Sequence, residues 1–216
     1  MKIYVVSGLG ADFKVLERLR FPAGFEVVFL DWLMPEKEEA FVDYVDRMAD
    51  RIDDSAPFCL LGYSFGGIIV QEIHRRKPAR KVIILGSIKS DKEKSGVLKW
   101  ASLTRFPKLI PLRVFNNRSF AVYGFIRHFM DPENPKIFEY FRVRDPYYLK
   151  WSVEKISEWK ASASSAEVIQ ILGDRDIVFP VKYSRPDYVI RGGTHLFPAT
   201  KSKEVSALLA QILSQD

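Results

Sequence analysis

Between Lys2 and Leu85, short apolar runs alternate with amphipathic stretches, and that alternation leaves few folds open to the chain. Lys2–Ser7 is a nearly continuous apolar run, as a strand buried on both faces requires. Gly8-Leu9-Gly10 breaks it, and Asp12 stands where it can cap a helix carrying Val15, Leu16 and Leu19. Phe25–Leu30 is the next expected strand. The helix expected over Glu38–Asp53 puts Phe41, Val45, Met48 and Ile52 on one face. Phe58–Gly62 and Lys81–Leu85 read as further strands, with a helix over Gly66–Arg76 that stops before Pro78. Strands joined through helices pair in parallel, so the expected architecture is a parallel sheet with helices on both faces.

The alternation stops between Ile88 and Lys160, where no strand is evident and Pro107, Pro111, Pro132, Pro135 and Pro146 separate short helical stretches. Thirteen of the 29 aromatic residues lie between Trp100 and Trp151. This segment is expected to be a helical insertion, 88–160, dividing a core made of 1–87 and 161–216. Strands resume at Glu167–Leu172 and Asp187–Ile190, and a final helix carries Val205, Leu208, Leu209, Ile212 and Leu213 on one face.

Composition narrows the function classes. With 216 residues, 47% apolar and 28% charged, the chain can bury a core without disulfides or a structural metal. The single cysteine, Cys59, lies in an apolar run, and with three histidines no multi-ligand metal centre is expected. The N-terminal apolar run is shorter than the roughly 7–15 residues of a secretory h-region, and no run reaches a membrane span, so a cytoplasmic protein is expected. Net charge is +6, concentrated in Lys89–Lys160, which has 15 basic and 8 acidic side chains. No long Lys/Arg run or nucleic-acid motif accompanies it, so a solvated surface or attraction of anionic ligands is expected, not nucleic-acid binding.

Gly62-Tyr63-Ser64-Phe65-Gly66 fits G-x-S-x-G and lies between an expected strand and an expected helix. The bare pattern arises by chance in roughly one chain in fifteen of this length, and the strand–turn–helix context makes it far more specific. A serine there projects above the sheet edge, with the helix N-terminus behind it for a developing oxyanion. Such a nucleophile needs a base, and the base needs an orienting acid. His74, near the end of the following helix, points about three turns away from Ser64, and His128 falls within the insertion. His195 follows Gly192-Gly193-Thr194 after the last strand, at the same sheet edge as Ser64. Gly173-Asp174-Arg175-Asp176 offers two carboxylates on a neighbouring loop, either of which can also serve a turn or an ion pair with Arg175. Asp91, after the fourth strand, is the next acid in line.

The order Ser, Asp, His, together with Gly62-Tyr63-Ser64-Phe65-Gly66-Gly67, Gly173-Asp174-Arg175-Asp176-Ile177-Val178-Phe179-Pro180 and Gly192-Gly193-Thr194-His195, resembles the α/β-hydrolase superfamily over nearly the whole chain outside the insertion. The resemblance implies a trimmed α/β-hydrolase fold, a mostly parallel sheet of about six strands with an inserted helical cap. Its G-x-x-D step selects Asp176. By the same match, Ser7-Gly8-Leu9-Gly10 stands for the oxyanion loop, and the backbone N–H groups of Leu9 and Phe65 form the oxyanion hole. Ser7 replaces the family's usual loop histidine, and the chain begins at what would be the third strand. The expected activity is hydrolysis of a small carboxylic ester or related acyl bond by Ser64, His195 and Asp176, with no cofactor or metal. An acyltransferase or lyase on the same fold, and a low-turnover ligand-binding protein, are the alternatives.

Overall fold

The computed structural model describes residues 1–115, 137–161 and 168–215. Six strands form one sheet: β1 (Lys2–Val6), β2 (Glu26–Phe29), β3 (Phe58–Tyr63), β4 (Lys81–Leu85), β5 (Val168–Gly173) and β6 (Tyr188–Ile190). Their order is β2-β1-β3-β4-β5-β6, and every neighbouring pair is parallel. Successive strand residues face opposite sides. All six residues of β3 and the last four of β1 and β4 are buried, so both faces of the sheet centre are covered. This is the parallel sheet that the alternation predicts.

Helix α1 (Phe41–Ala49) buries Tyr44, Val45 and Met48. It starts later than its periodicity predicts because Glu38 takes a left-handed φ of 59° and Ala40 is extended. Ile52 lies past its end but is still buried. Helix α2 (Phe65–Arg76) runs through the interior, with Phe65–Gln71 and Ile73 all buried. The helix expected after Asp12 is only a 3₁₀ turn, Phe13–Val15, with the Asp12 carboxylate accepting from Lys14 N at 2.9 Å. Bonds from Leu16 N to Phe13 O and from Leu19 N to Leu16 O bring Val15, Leu16 and Leu19 into the core without an α-turn.

The connection from β4 to β5 holds α3 (Gly96–Thr104), α4 (Phe106–Leu109), α5 (Ile137–Tyr140) and α6 (Pro146–Glu158) among its described residues. Helix α6 begins with an Asp145 cap accepting from Tyr148 N at 2.9 Å and with Pro146 at its first position. After β6 come α7 (Phe197–Thr200) and α8 (Ser202–Ser214), the latter burying Val205, Leu209, Ile212 and Leu213.

Strand order positions the site. The connection leaving β1 runs outward to β2, and the one leaving β3 runs the other way to β4. With right-handed crossovers these leave toward opposite faces, which opens a crevice beyond the carboxyl ends of β1 and β3. In agreement, the β1–β2 segment meets α8 on one side, where Arg20 N donates to Ser206 Oγ at 2.9 Å. On the other side Arg76 of α2 pairs with Asp46 of α1.

Candidate active site

Ser64 follows β3 directly, at the crevice, with φ 53° and ψ −119°, a conformation unusual for a residue with a side chain. The turn is held by close backbone approach. A Cβ on Gly62 would stand 2.3 Å from Gly66 O, and one on Gly66 would stand 2.3 Å from both Val6 O and Ser7 O. The elbow is thereby clamped against the end of β1, and Ser64 N is fixed by donating to Leu85 O at 2.9 Å.

His195 Nε2 lies 2.9 Å from Ser64 Oγ, and His195 Nδ1 lies 2.7 Å from Asp176 Oδ2. The carboxylate sets the tautomer: Nδ1–H donates to Asp176, which leaves Nε2 to accept the Ser64 hydroxyl proton. The other oxygen of Asp176 accepts from Val178 N at 2.8 Å and Phe179 N at 3.0 Å, fixing the acid in its loop. His195 is 1% exposed and Asp176 3%, so their hydrogen bond is shielded from water. Tyr63 OH donates to His195 O at 3.0 Å, and the rings of Tyr63 and Phe179 flank the imidazole at 5.4 and 5.7 Å.

The structure brings together three of the sequence-predicted side chains and places Asp174, Asp91 and His74 elsewhere. Asp174 is exposed, and its backbone N–H donates to Ile190 O. Asp91 lies in a 3₁₀ turn that lines a cavity in the β4–β5 connection. His74 accepts from Ala79 N at 3.0 Å, where it helps end α2. His128 is outside the described residues. Cys59 is buried in β3, where burial pushes its thiol pKa up.

The loop after β1 reaches the same crevice. A Cβ on Gly8 would meet Ser64 Cβ at 3.2 Å, so the loop lies against the serine. Leu9 follows in that loop, and Phe65 opens α2, where the first N–H groups of a helix lack intrahelical acceptors. Ser7 braces the loop by donating to Ala11 O at 2.6 Å, a cross-link available to a serine in place of histidine. Trp32 Nε1 donates to Gly8 O at 3.1 Å and Ala11 O at 3.0 Å. From α6, the Tyr148 hydroxyl accepts from Gly10 N at 3.4 Å, and burial pushes its pKa well above that of an ordinary phenol. Val143 N adds a bond to Gly10 O at 2.8 Å.

Sequence reasoning missed Trp32 and Tyr148 as supports of this loop. Both are separated from it by long stretches of chain, and only the aromatic enrichment of the insertion hinted at the second. Trp32 also stacks on Phe65 at 5.3 Å, so a single aromatic cluster touches both the loop and the residue after Ser64.

No protein-family model and no curated protein matches the chain in sequence. Solved structures do match it in shape. An esterase from Thermogutta terrifontis superposes with a TM-score of 0.69 at 16% identity, covering 99% of this chain and 89% of that one. A lipase-esterase related protein from Clostridium acetobutylicum gives 0.65 at 17%, covering 96% and 92%. An alpha/beta hydrolase fold protein from Burkholderia ambifaria gives 0.69 at 13%, covering 97% and 90%. The chain therefore has the α/β-hydrolase fold.

Proposed function

We propose that this protein is a serine hydrolase acting on a small carboxylic ester or related acyl bond. One observation carries the reading: Ser64, His195 and Asp176 form a continuous hydrogen-bonded relay at the crevice of the sheet. Esterase and lipase-esterase descriptions among the structural neighbours support the same class.

In the proposed mechanism, His195 Nε2 takes the Ser64 proton as Oγ attacks the substrate carbonyl. The Asp176 carboxylate stabilises the imidazolium that results. The N–H groups of Leu9 and Phe65 receive the tetrahedral oxyanion, and each such donor is worth roughly 10²–10³ in rate. His195 then gives its proton to the leaving alcohol, and Ser64 is left acylated. Water, deprotonated by His195, attacks the acyl group, and collapse of the second tetrahedral intermediate releases the acid and restores the serine. Each proton moves between Ser64, His195, substrate and water, so the cycle calls on no cofactor or metal. In this reading the 88–160 connection, of which 116–136 lie outside the described residues, is a cap, and Tyr148, which reaches the loop after β1, couples cap position to loop geometry.

The reading is tested with p-nitrophenyl esters of increasing acyl length, on wild type beside Ser64→Ala. Hydrolysis by wild type that falls by about 10⁴ to 10⁶ in the variant is expected. Equal rates in the two would overturn it. Product analysis with added alcohol separates hydrolysis from acyl transfer.

A further inference from the structure

Helix α3 has an apolar sequence yet buries none of its residues. Val97, Trp100 and Leu103 recur every third residue along it and are all exposed, Leu103 by 85%. Phe106 and Leu109 of α4 and Leu112 beyond it are exposed too, Leu109 by 75%. The Trp100 and Phe106 rings, 5.3 Å apart, join the two helices into one patch. A helix of a globular protein ordinarily turns such a stripe inward, and a joined set of exposed apolar side chains marks a contact surface.

Charge around the patch is one-sided. The sequence has no acid between Glu93 and Asp131, while Lys94, Lys99, Arg105, Lys108 and Arg113 punctuate its first part. A cavity of about 900 Å³ beside the patch is lined by Lys92, Lys94, Lys99, Arg105, Lys108 and Lys160, and Leu103 lines it as well. Asp91 and Glu158 are the acids on its wall. Lys108 pairs with Glu158 at 2.7 Å. Lys94, buried, donates to Ser157 O and Trp159 O at 2.7 Å and so ties the entry to α3 to the end of α6.

We propose that α3 and α4 form a docking surface for an anionic lipid bilayer, with the apolar side chains entering the headgroup boundary and the cations meeting lipid phosphates. Tryptophan, phenylalanine and leucine interleaved with Lys and Arg on short helices is the make-up of segments that lie in a membrane interface. Side chains exposed as far as Leu103 and Leu109 suit a fluid boundary that closes around them. Two copies of a face this cationic repel each other, which disfavours self-association. No helix among the described residues is long and apolar enough to cross a membrane, and the contact proposed here is one of surface side chains. The inference stands apart from the hydrolase reading, and its test reads binding.

The full chain is mixed with phosphatidylcholine vesicles, alone or containing phosphatidylglycerol, and followed by sedimentation and tryptophan emission. Trp32, Trp151 and Trp159 are buried and Trp100 is 53% exposed, so a blue shift reports Trp100, with Trp100→Phe as control. The expected result is binding with a blue shift on the phosphatidylglycerol vesicles and far weaker binding on phosphatidylcholine alone. Lys99→Gln and Arg105→Gln should each lower partitioning roughly fivefold, less so as salt rises. Leu103→Ser with Leu109→Ser should abolish the shift in a protein of unchanged melting temperature. Equal partitioning into both vesicles, or none into either, would overturn the proposal. So would binding to polyglutamate but not to vesicles, which points to an acidic protein, or dimerisation that Leu103→Ser abolishes, which points to a second copy.

Discussion

The sheet edge and the β4–β5 connection meet around Ser64, and they are built to opposite standards. At the sheet edge the serine turn is closely packed: a Cβ at Gly62 or Gly66 would run into backbone oxygen at 2.3 Å, and His195 is 1% exposed. In the connection, Gly96 has nothing within 4 Å of an added Cβ, and α3 buries no residue. Helix α6 of the same connection is tied down firmly. Trp151 Nε1 donates to Glu39 O at 3.0 Å, and Tyr147 OH donates to Glu36 O at 3.0 Å while accepting from Glu38 N at 2.8 Å. The difference separates two jobs. The sheet fixes Ser64, His195 and Asp176 relative to one another, and the connection carries the exposed apolar side chains of α3 and α4.

The largest expected effect lies on the sheet side and acts through chemistry. Asp176→Asn supports the wrong imidazole tautomer and should lower kcat by up to about 10⁴. Asp174→Asn, at an exposed position two residues away, should change kcat by no more than a few-fold. Steady-state kinetics on one ester decides the pair, and the reverse ranking would dismantle the relay as described here.

A matched pair of glycine substitutions tests the comparison through stability. Gly66→Ala drives a methyl into Val6 O and Ser7 O and should cost about 3 kcal/mol or more. Gly96→Ala, at the open first position of α3, should be neutral or stabilise by up to about 1 kcal/mol through lower unfolded-state entropy. Urea unfolding of both variants measures the contrast. Equal losses would mean that the connection is packed as tightly as the sheet edge.

A smaller effect is expected at alkaline pH, where the two regions touch. The Tyr44 ring lies 4.5 Å from Trp151 of α6, and burial raises the phenol pKa of both Tyr44 and Tyr148. The unfolded chain then loses these protons first, so their contribution is whole below about pH 10 and falls above it. Lys94 acts in the opposite sense: burial lowers its pKa to about 8, so its ammonium disfavours the fold below that pH, and stability returns between about 8 and its ordinary 10.5. Melting temperature should therefore hold or rise slightly from pH 8 to 10 and drop beyond it, with a shallower drop in Tyr148→Phe. An identical drop in that variant would remove Tyr148 from the account.

The strands and the site were legible to different depths. All six strands appear within one residue of their expected spans at either end, the central ones because a strand buried on both faces leaves an unbroken apolar run. Helix limits were less legible. The left-handed Glu38 shortens α1 at its start, and nothing in the local pattern marks it. Ser64, His195 and Asp176 could be read because a serine on a strand-to-helix turn and loops at the same sheet edge are local signals joined by topology. The choice between Asp174 and Asp176 came from the family resemblance, and burial now separates them. Trp32 and Tyr148 were illegible as loop supports, since their contacts depend on three-dimensional closure. The exposed face of α3 was illegible too, because its period looks like that of any core helix.

The account's central claim, that Ser64 is an activated nucleophile, is tested most directly by a small organophosphonate followed by mass spectrometry. One adduct is predicted on wild type, mapping within Cys59–Arg75 to Ser64. Ser64→Ala should carry none, and His195→Ala should react far more slowly, since its serine lacks a base. An adduct on another serine, or none on a folded wild-type protein, would contradict the claim.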